Sequence, residues 1–222
     1  MILNPLFALV LAGLLEVPQA AQTPPIFHPG APGAASRTIT ATQAVELSRT
    51  SFTTGDVEFL QHMLVHHAQA VEMVELLQAH GSSPQIKLLG QRIALSQQAE
   101  MELMRNWLTD RGQPLVMADM HAGHMAGMNH AMPMAAAGDT ALMPGMLTPH
   151  QMQALAAARG QAFDRLFLQG MIQHHQGALD MVDTLMAQPD AAQDPMLSDF
   201  SNSVVADQSA EILRMQSILS EL

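Results

Sequence analysis

One stretch of this chain is written twice, 108 residues apart, and that duplication limits the fold more than any other feature. The first copy reads DVEFLQHMLVHHAQAVEMVELL from Asp56 to Leu77, and the second reads DRLFLQGMIQHHQGALDMVDTL from Asp164 to Leu185. Phe59 matches Phe167, Met63 matches Met171, the pair His66 and His67 matches His174 and His175, and Met73 matches Met181. A fixed repeat of this kind implies two copies of one structural unit packed on each other. At about 100° per residue, Phe59, Met63, His66, Ala70, Met73 and Leu77 fall on a single stripe, so each copy is an amphipathic helix.

The punctuation around the copies supplies the other elements. Thr40 and Thr148 stand at the same offset and open the two units, with Thr148 as N-cap and Pro149 at the first helical position. One long helix is predicted from there to about His80, capped at Gly81, and its counterpart runs to about Ala187. Ser83 and Pro84 start a second helix that reaches about Asp110 and stops before Gly112 and Pro114. Pro189 and Pro195 bracket the matching turn, and a last helix runs to the C-terminus. No β-branched alternation is present. The expected fold is all-α, a four-helix bundle made of two repeated helical hairpins. Its parts are hairpin 1 over residues 40–112 and hairpin 2 over residues 148–222, together one bundle.

Flanking segments read differently. Residues 1–21 hold the apolar run Leu6–Leu15 followed by small residues near Ala20 and Ala21, the pattern of an export signal. Glu16 and Pro18 interrupt it too soon for a bilayer span, so no stable membrane anchor is expected after cleavage. A periplasmic or secreted bacterial protein follows from that reading. Residues 22–39 are rich in proline and glycine and are expected to be a flexible linker. Residues 113–147 form a second linker. Within it, Met117 to Met146 contains eight of the 19 methionines and three histidines, with no apolar period.

Charge and sulfur content then narrow the chemistry. Nine Lys and Arg face 20 Asp and Glu, a net charge of -11, which disfavours nucleic acid as a partner. Cysteine is absent, which excludes thiolate zinc sites, Fe–S clusters and disulfides. Thioethers and imidazoles are the donors that remain in quantity, and they suit soft ions such as Cu(I) and Ag(I). On the bundle, His62, Met63, His66, His67 and Met73 of the first copy and Met171, His174, His175 and Met181 of the second are candidate ligands. Met101, Met104 and Met215, on the second helix of each hairpin, face them beside Gln97, Glu100, Gln208 and Glu211. A carboxylate on an apolar stripe needs a partner, and a histidine across the bundle would serve, either as hydrogen-bonded support or as fellow ligand. In the linker, Met117, Met120, His121, His124, Met125, Met128, His130, Met132 and Met134 are candidates for capture of the ion. Gly170 stands where His62 stands in the first copy, so the two sites need not be equivalent.

The doubled HH phrase, each copy followed by Gln-x-x-Glu-x-x-x-Met (Gln97, Glu100, Met104; Gln208, Glu211, Met215), resembles domain of unknown function family 305 over roughly Thr40 to Leu222. The resemblance implies an exported, ferritin-like four-helix bundle that binds periplasmic copper or silver. It implies ligands at Met63, His66, His67, Met73, Met171, His174, His175 and Met181. The expected cargo is copper, as Cu(I), with Ag(I) or Cu(II) as further possibilities, and a periplasmic copper donor or acceptor protein as partner. No catalysis is expected, since no Ser/His/Asp arrangement or phosphate loop occurs. Two other readings stay open: a ferritin-like di-iron protein, although no Glu-x-x-His motif is present, and a helical interaction module in which the repeats only pack.

Overall fold

The computed structural model describes residues 25–29, 35–48, 51–116 and 139–222, and these fall into two compact units, residues 1–49 and residues 50–222. In the first unit, strands β1 (Ile26–His28) and β2 (Arg37–Ile39) pair antiparallel, with Phe27 opposite Thr38, and helix α1 (Ala41–Ser48) follows. This hairpin lies in the segment expected to be a flexible linker. Ile26, Phe27, Thr38 and Ile39 favour extended backbone, and the prolines and glycines of the segment stand before the strands or between them rather than in them.

The second unit is the bundle. It contains α2 (Thr54–His80), α3 (Pro84–Asp110), α4 (Pro149–Ala157), α5 (Gly160–Met186) and α6 (Pro195–Ser220). Helix α2 packs on α3, α5 packs on α6, and α2 meets α5 to join the hairpins. The expected single long helix of each half is broken in two, at matching places. In the first half Thr53 restarts the chain with a capping box, its hydroxyl accepting from Asp56 N and its own N–H donating to the Asp56 carboxylate. In the second half Ala158 and Arg159 are extended, and Gly160 takes a φ of 60°, which a residue with a Cβ rarely adopts. The remaining boundaries follow the caps read from the sequence. Ser83 and Thr148 cap α3 and α4, each followed by proline, and the N–H of Gly81 closes α2 on Leu77.

The stripe read from the duplication is buried along its whole length, and it sorts into two apolar clusters. One gathers Phe59, Leu60, Met63, Met104, Trp107, Leu108, Leu197 and Phe200 with Met181. The other gathers Ala70, Met73, Leu77, Ile86, Phe163, Phe167, Leu168 and Met171 with Met215. Burying each Leu, Ile, Phe or Met among them stabilises the fold by about 1.5–3 kcal/mol relative to exposure. Between the clusters, at the waist of the bundle, the buried side chains are polar.

Reciprocal contacts hold the hairpins together. Asp56, at the start of α2, accepts from the N–H of Ala192 in the α5–α6 turn at 2.8 Å. Its counterpart Asp164, at the start of α5, accepts from Ser82 N, Ser82 Oγ and Ser83 N in the α2–α3 turn. Asp194 caps α6 and also takes the Trp107 indole N–H at 3.1 Å and the Arg111 guanidinium, which fastens α3 to the start of α6.

Candidate metal centre

The waist is built from the two histidine pairs. Being consecutive on a helix, His66 and His67 point about 100° apart: His66 turns toward α5, and His67 turns toward α3. His174 and His175 repeat this on α5, and all four side chains are fully buried. The rings of His66 and His174 lie against each other, with centroids 3.8 Å apart at 38°.

Every one of the four rings is engaged through Nε2. His67 Nε2 donates to Glu100 Oε2 and His175 Nε2 donates to Glu211 Oε2, both at 2.6 Å. His66 Nε2 donates to the carbonyl of Pro144 at 3.0 Å, and His174 Nε2 donates to the carbonyl of His66 at 2.9 Å. A carbonyl can only accept, so in the neutral rings of His66 and His174 the proton sits on Nε2 and the lone pair sits on Nδ1. All four Nδ1 atoms are buried and have no hydrogen-bond partner among the described residues. Burial holds His66 far below the usual histidine range, at about 3, with the neighbouring His67 adding to the effect. His174 is likewise held well below it, by burial first and then by His66. The His66–His174 pair is therefore neutral at physiological pH, the state in which imidazole binds a metal.

Nitrogen and oxygen do not complete a site alone. Among the described residues no three His, Asp or Glu side chains gather in a way that could hold a metal ion. Sulfur lies on both sides of the waist. Met63, Met104 and Met181 belong to one apolar cluster, and their counterparts Met171, Met215 and Met73 belong to the other. Met101 is half-buried against the first cluster, and His62 is half-buried on α2. Gln97 and Gln208, one turn from the paired glutamates, are buried too, with Gln97 Oε1 and both polar atoms of Gln208 unpartnered among the described residues. The candidates Met117, Met120, His121, His124, Met125, Met128, His130, Met132 and Met134 lie outside the described residues.

One component was missed in the sequence. The segment Met143–Leu147, grouped there with the linker as lacking any face to bury, crosses the groove between α2 and α5 as a strap. Gln69 grips it at Leu147, taking the N–H at 2.7 Å and donating to the carbonyl at 3.0 Å. Gln173 donates to the carbonyls of Gly145 and Met146. Gly145, with φ of 75°, lies directly on Gly177, where an added Cβ would stand 2.1 Å from the Pro144 oxygen. The strap also explains why the second copy departs from the first. Gly170 replaces His62 where Leu147 and Met73 press in, with the nearest atom 3.1 Å from a Cβ placed there. Gly177 replaces Gln69 where the strap backbone rests. Seven residues apart on one helix face, these two glycines were the available signal.

Solved structures carry the same architecture. The chain is similar to a DUF305 fragment from Deinococcus radiodurans, with 28% identity, a TM-score of 0.61, and coverage of 78% of this chain and 100% of that one. A DUF305 protein from Streptomyces coelicolor matches at 27% identity and a TM-score of 0.61, covering 75% and 93% of the two chains. CopM in its Cu(I)-bound form matches at 25% identity and a TM-score of 0.54, covering 77% and 98%. CopM structures in Cu(II)-bound and Ag-bound forms match as well. Among curated proteins none matches the chain. The family model described as "Domain of unknown function (DUF305)" matches residues 56–219, and the chain belongs to that family.

Proposed function

We propose that this protein is an exported, non-enzymatic carrier of soft metal ions that binds Cu(I) or Ag(I) in its bundle and sequesters the ion or passes it on. The observation that carries this reading is the set of four buried imidazoles, each engaged at Nε2 and each with an Nδ1 that has no partner among the described residues, between methionine-bearing clusters. A buried polar nitrogen with no partner is costly for the metal-free fold, and at His66 and His174 a cation with affinity for nitrogen would relieve that cost. Thioether and neutral imidazole together suit monovalent copper and silver better than Zn(II) or Mg(II). Similarity to CopM in copper- and silver-bound forms supports metal binding in the same direction.

The donors argue against a di-iron centre. That chemistry uses carboxylates that bridge the metals, whereas Glu100 and Glu211 are spent on the Nε2 atoms of His67 and His175. Export is supported by the signal-like N-terminus. Among the described residues no helix is long and apolar enough to cross a membrane. Competition for Cu(I) against a chromophoric chelator tests the proposal. The parent protein should withdraw the ion, and a variant carrying His66→Gln, His67→Gln, His174→Gln and His175→Gln should lose the bundle's share. A parent that competes no better than a methionine-free helical protein would end it.

A further inference from the structure

We propose that Met143 and Met146 of the strap are ligands, and that they join Met63 and Met181 in a soft-ion site on the His66 side of the waist that has no counterpart in the other half. The inference rests on the metal-binding reading above and goes beyond it by making the two lobes chemically unequal. The duplication accounts for three buried methionines in each cluster, Met63, Met104 and Met181 against Met171, Met215 and Met73. Met143 and Met146 are additional. Both are buried, at 9% and 6% exposure, and both enter the first cluster only.

Packing alone gives a weak reason for them. The strap is fixed beside the waist by polar contacts from Gln69, Gln173 and His66, and by the approach of Gly145 to Gly177. An aliphatic side chain would fill the space below it equally well, since Leu and Met exchange at little cost in cores. What methionine adds is a sulfur lone pair. It is placed within a few residues of Pro144, whose carbonyl bonds the ring that carries the bare Nδ1 of His66. The strap thus adds two buried soft donors to the cluster that holds Met63 and Met181, while its Pro144 carbonyl occupies Nε2 of His66. No electron transfer or covalent step is involved, only exchange of ligands on a monovalent ion.

The test uses the full chain, silver nitrate as the probe, and methionine labelled with carbon-13 at its methyl group. With resonances assigned through the backbone, the methyl signals of Met143 and Met146 should shift in the parent as the first equivalent of Ag(I) is added. Met143→Leu with Met146→Leu should weaken that binding at least tenfold, the lower end of what removal of an outer partner of a metal site costs. Its urea midpoint should stay near the parent's. If the parent binds Ag(I) while both methyl signals stay in place, the strap is packing only and the inference falls with the metal reading intact. Unchanged affinity in the double variant has the same meaning. If the parent binds no Ag(I), both fall together. The methyl shifts need no substitution in the core, so they decide the matter even if the double variant folds poorly.

Discussion

Acid should unfold the metal-free bundle through the His66–His174 pair, and the size of the effect follows from the waist. In the unfolded chain both histidines titrate near 6.5. In the fold, burial holds His66 at about 3 and keeps His174 well below 6.5. Below 6.5 the unfolded state therefore binds more protons, and stability rises with pH in that window. The contribution is complete above 6.5 and is lost progressively as pH falls toward 3. With His66 protonated only in the unfolded chain, that ring alone gives a slope of about 1 kcal/mol per pH unit between roughly pH 5.5 and 4.5, and His174 adds to it in the same direction. A domain of ordinary stability, about 5–15 kcal/mol, would lose a sizeable part of it within two or three units. Urea denaturation followed by circular dichroism at half-unit pH steps measures the slope. A variant with His66→Gln and His174→Gln isolates the pair from the carboxylates that also titrate, and its slope should be shallower by that amount. Equal slopes in parent and variant would refute the assignment of these rings as buried and neutral.

Other substitutions probe single contacts. Glu100→Ala removes the acceptor of His67 Nε2 and should cost about 1–3 kcal/mol in urea denaturation, with Glu211→Ala costing a similar amount through His175. Asp164→Ala frees the backbone N–H groups of Ser82 and Ser83 together and should cost about 2–4 kcal/mol by the same measurement. Gly177→Ala forces a methyl against the strap backbone and should destabilise by about 1–3 kcal/mol, with faster amide exchange at Leu147, whose N–H is held by Gln69. Deleting Ala118–Gly138 should leave helical circular dichroism unchanged while lowering the number of Cu(I) ions bound. Extending the deletion through Met146 should lower the urea midpoint, because it removes the buried strap.

Local chemistry made most of the fold readable. The periodicity of the duplicated phrase located the buried stripe, and Ser83–Pro84 and Thr148–Pro149 marked helix starts that the structure keeps. The inward position of the histidine pairs followed from the same period, and so did a glutamate opposite each. What escaped was set by distant partners. Nothing in Met-Pro-Gly-Met has a helical or strand period, and its place depends on Gln69, 78 residues before Leu147. The breaks near Phe52 and Arg159 did carry local signals, the cap Thr53 with Asp56 three residues on and Gly160 after Arg159, set inside an otherwise helical pattern. Identity of the free ring nitrogen also required the structure, since only the carbonyls of Pro144 and His66 decide which nitrogen keeps the proton.

The exchange of aspartates between the hairpins has a consequence for how the chain acquires its shape. Each inter-helix turn is closed by a carboxylate from the other half: Asp56 serves the turn at Ala192, and Asp164 serves the turn at Ser82. These partners lie 136 and 82 residues apart along the chain. A chain grown only as far as Asp110 has both helices of its hairpin, but it lacks the group that ties down its own turn and the surface that covers its stripe. Contacts of such long range are made late, because closing the intervening loop costs entropy before any contact repays it. The duplicated halves are therefore not two folding units laid side by side. Each is a template that the other completes, and the bundle becomes ordered only when the second turn has been made.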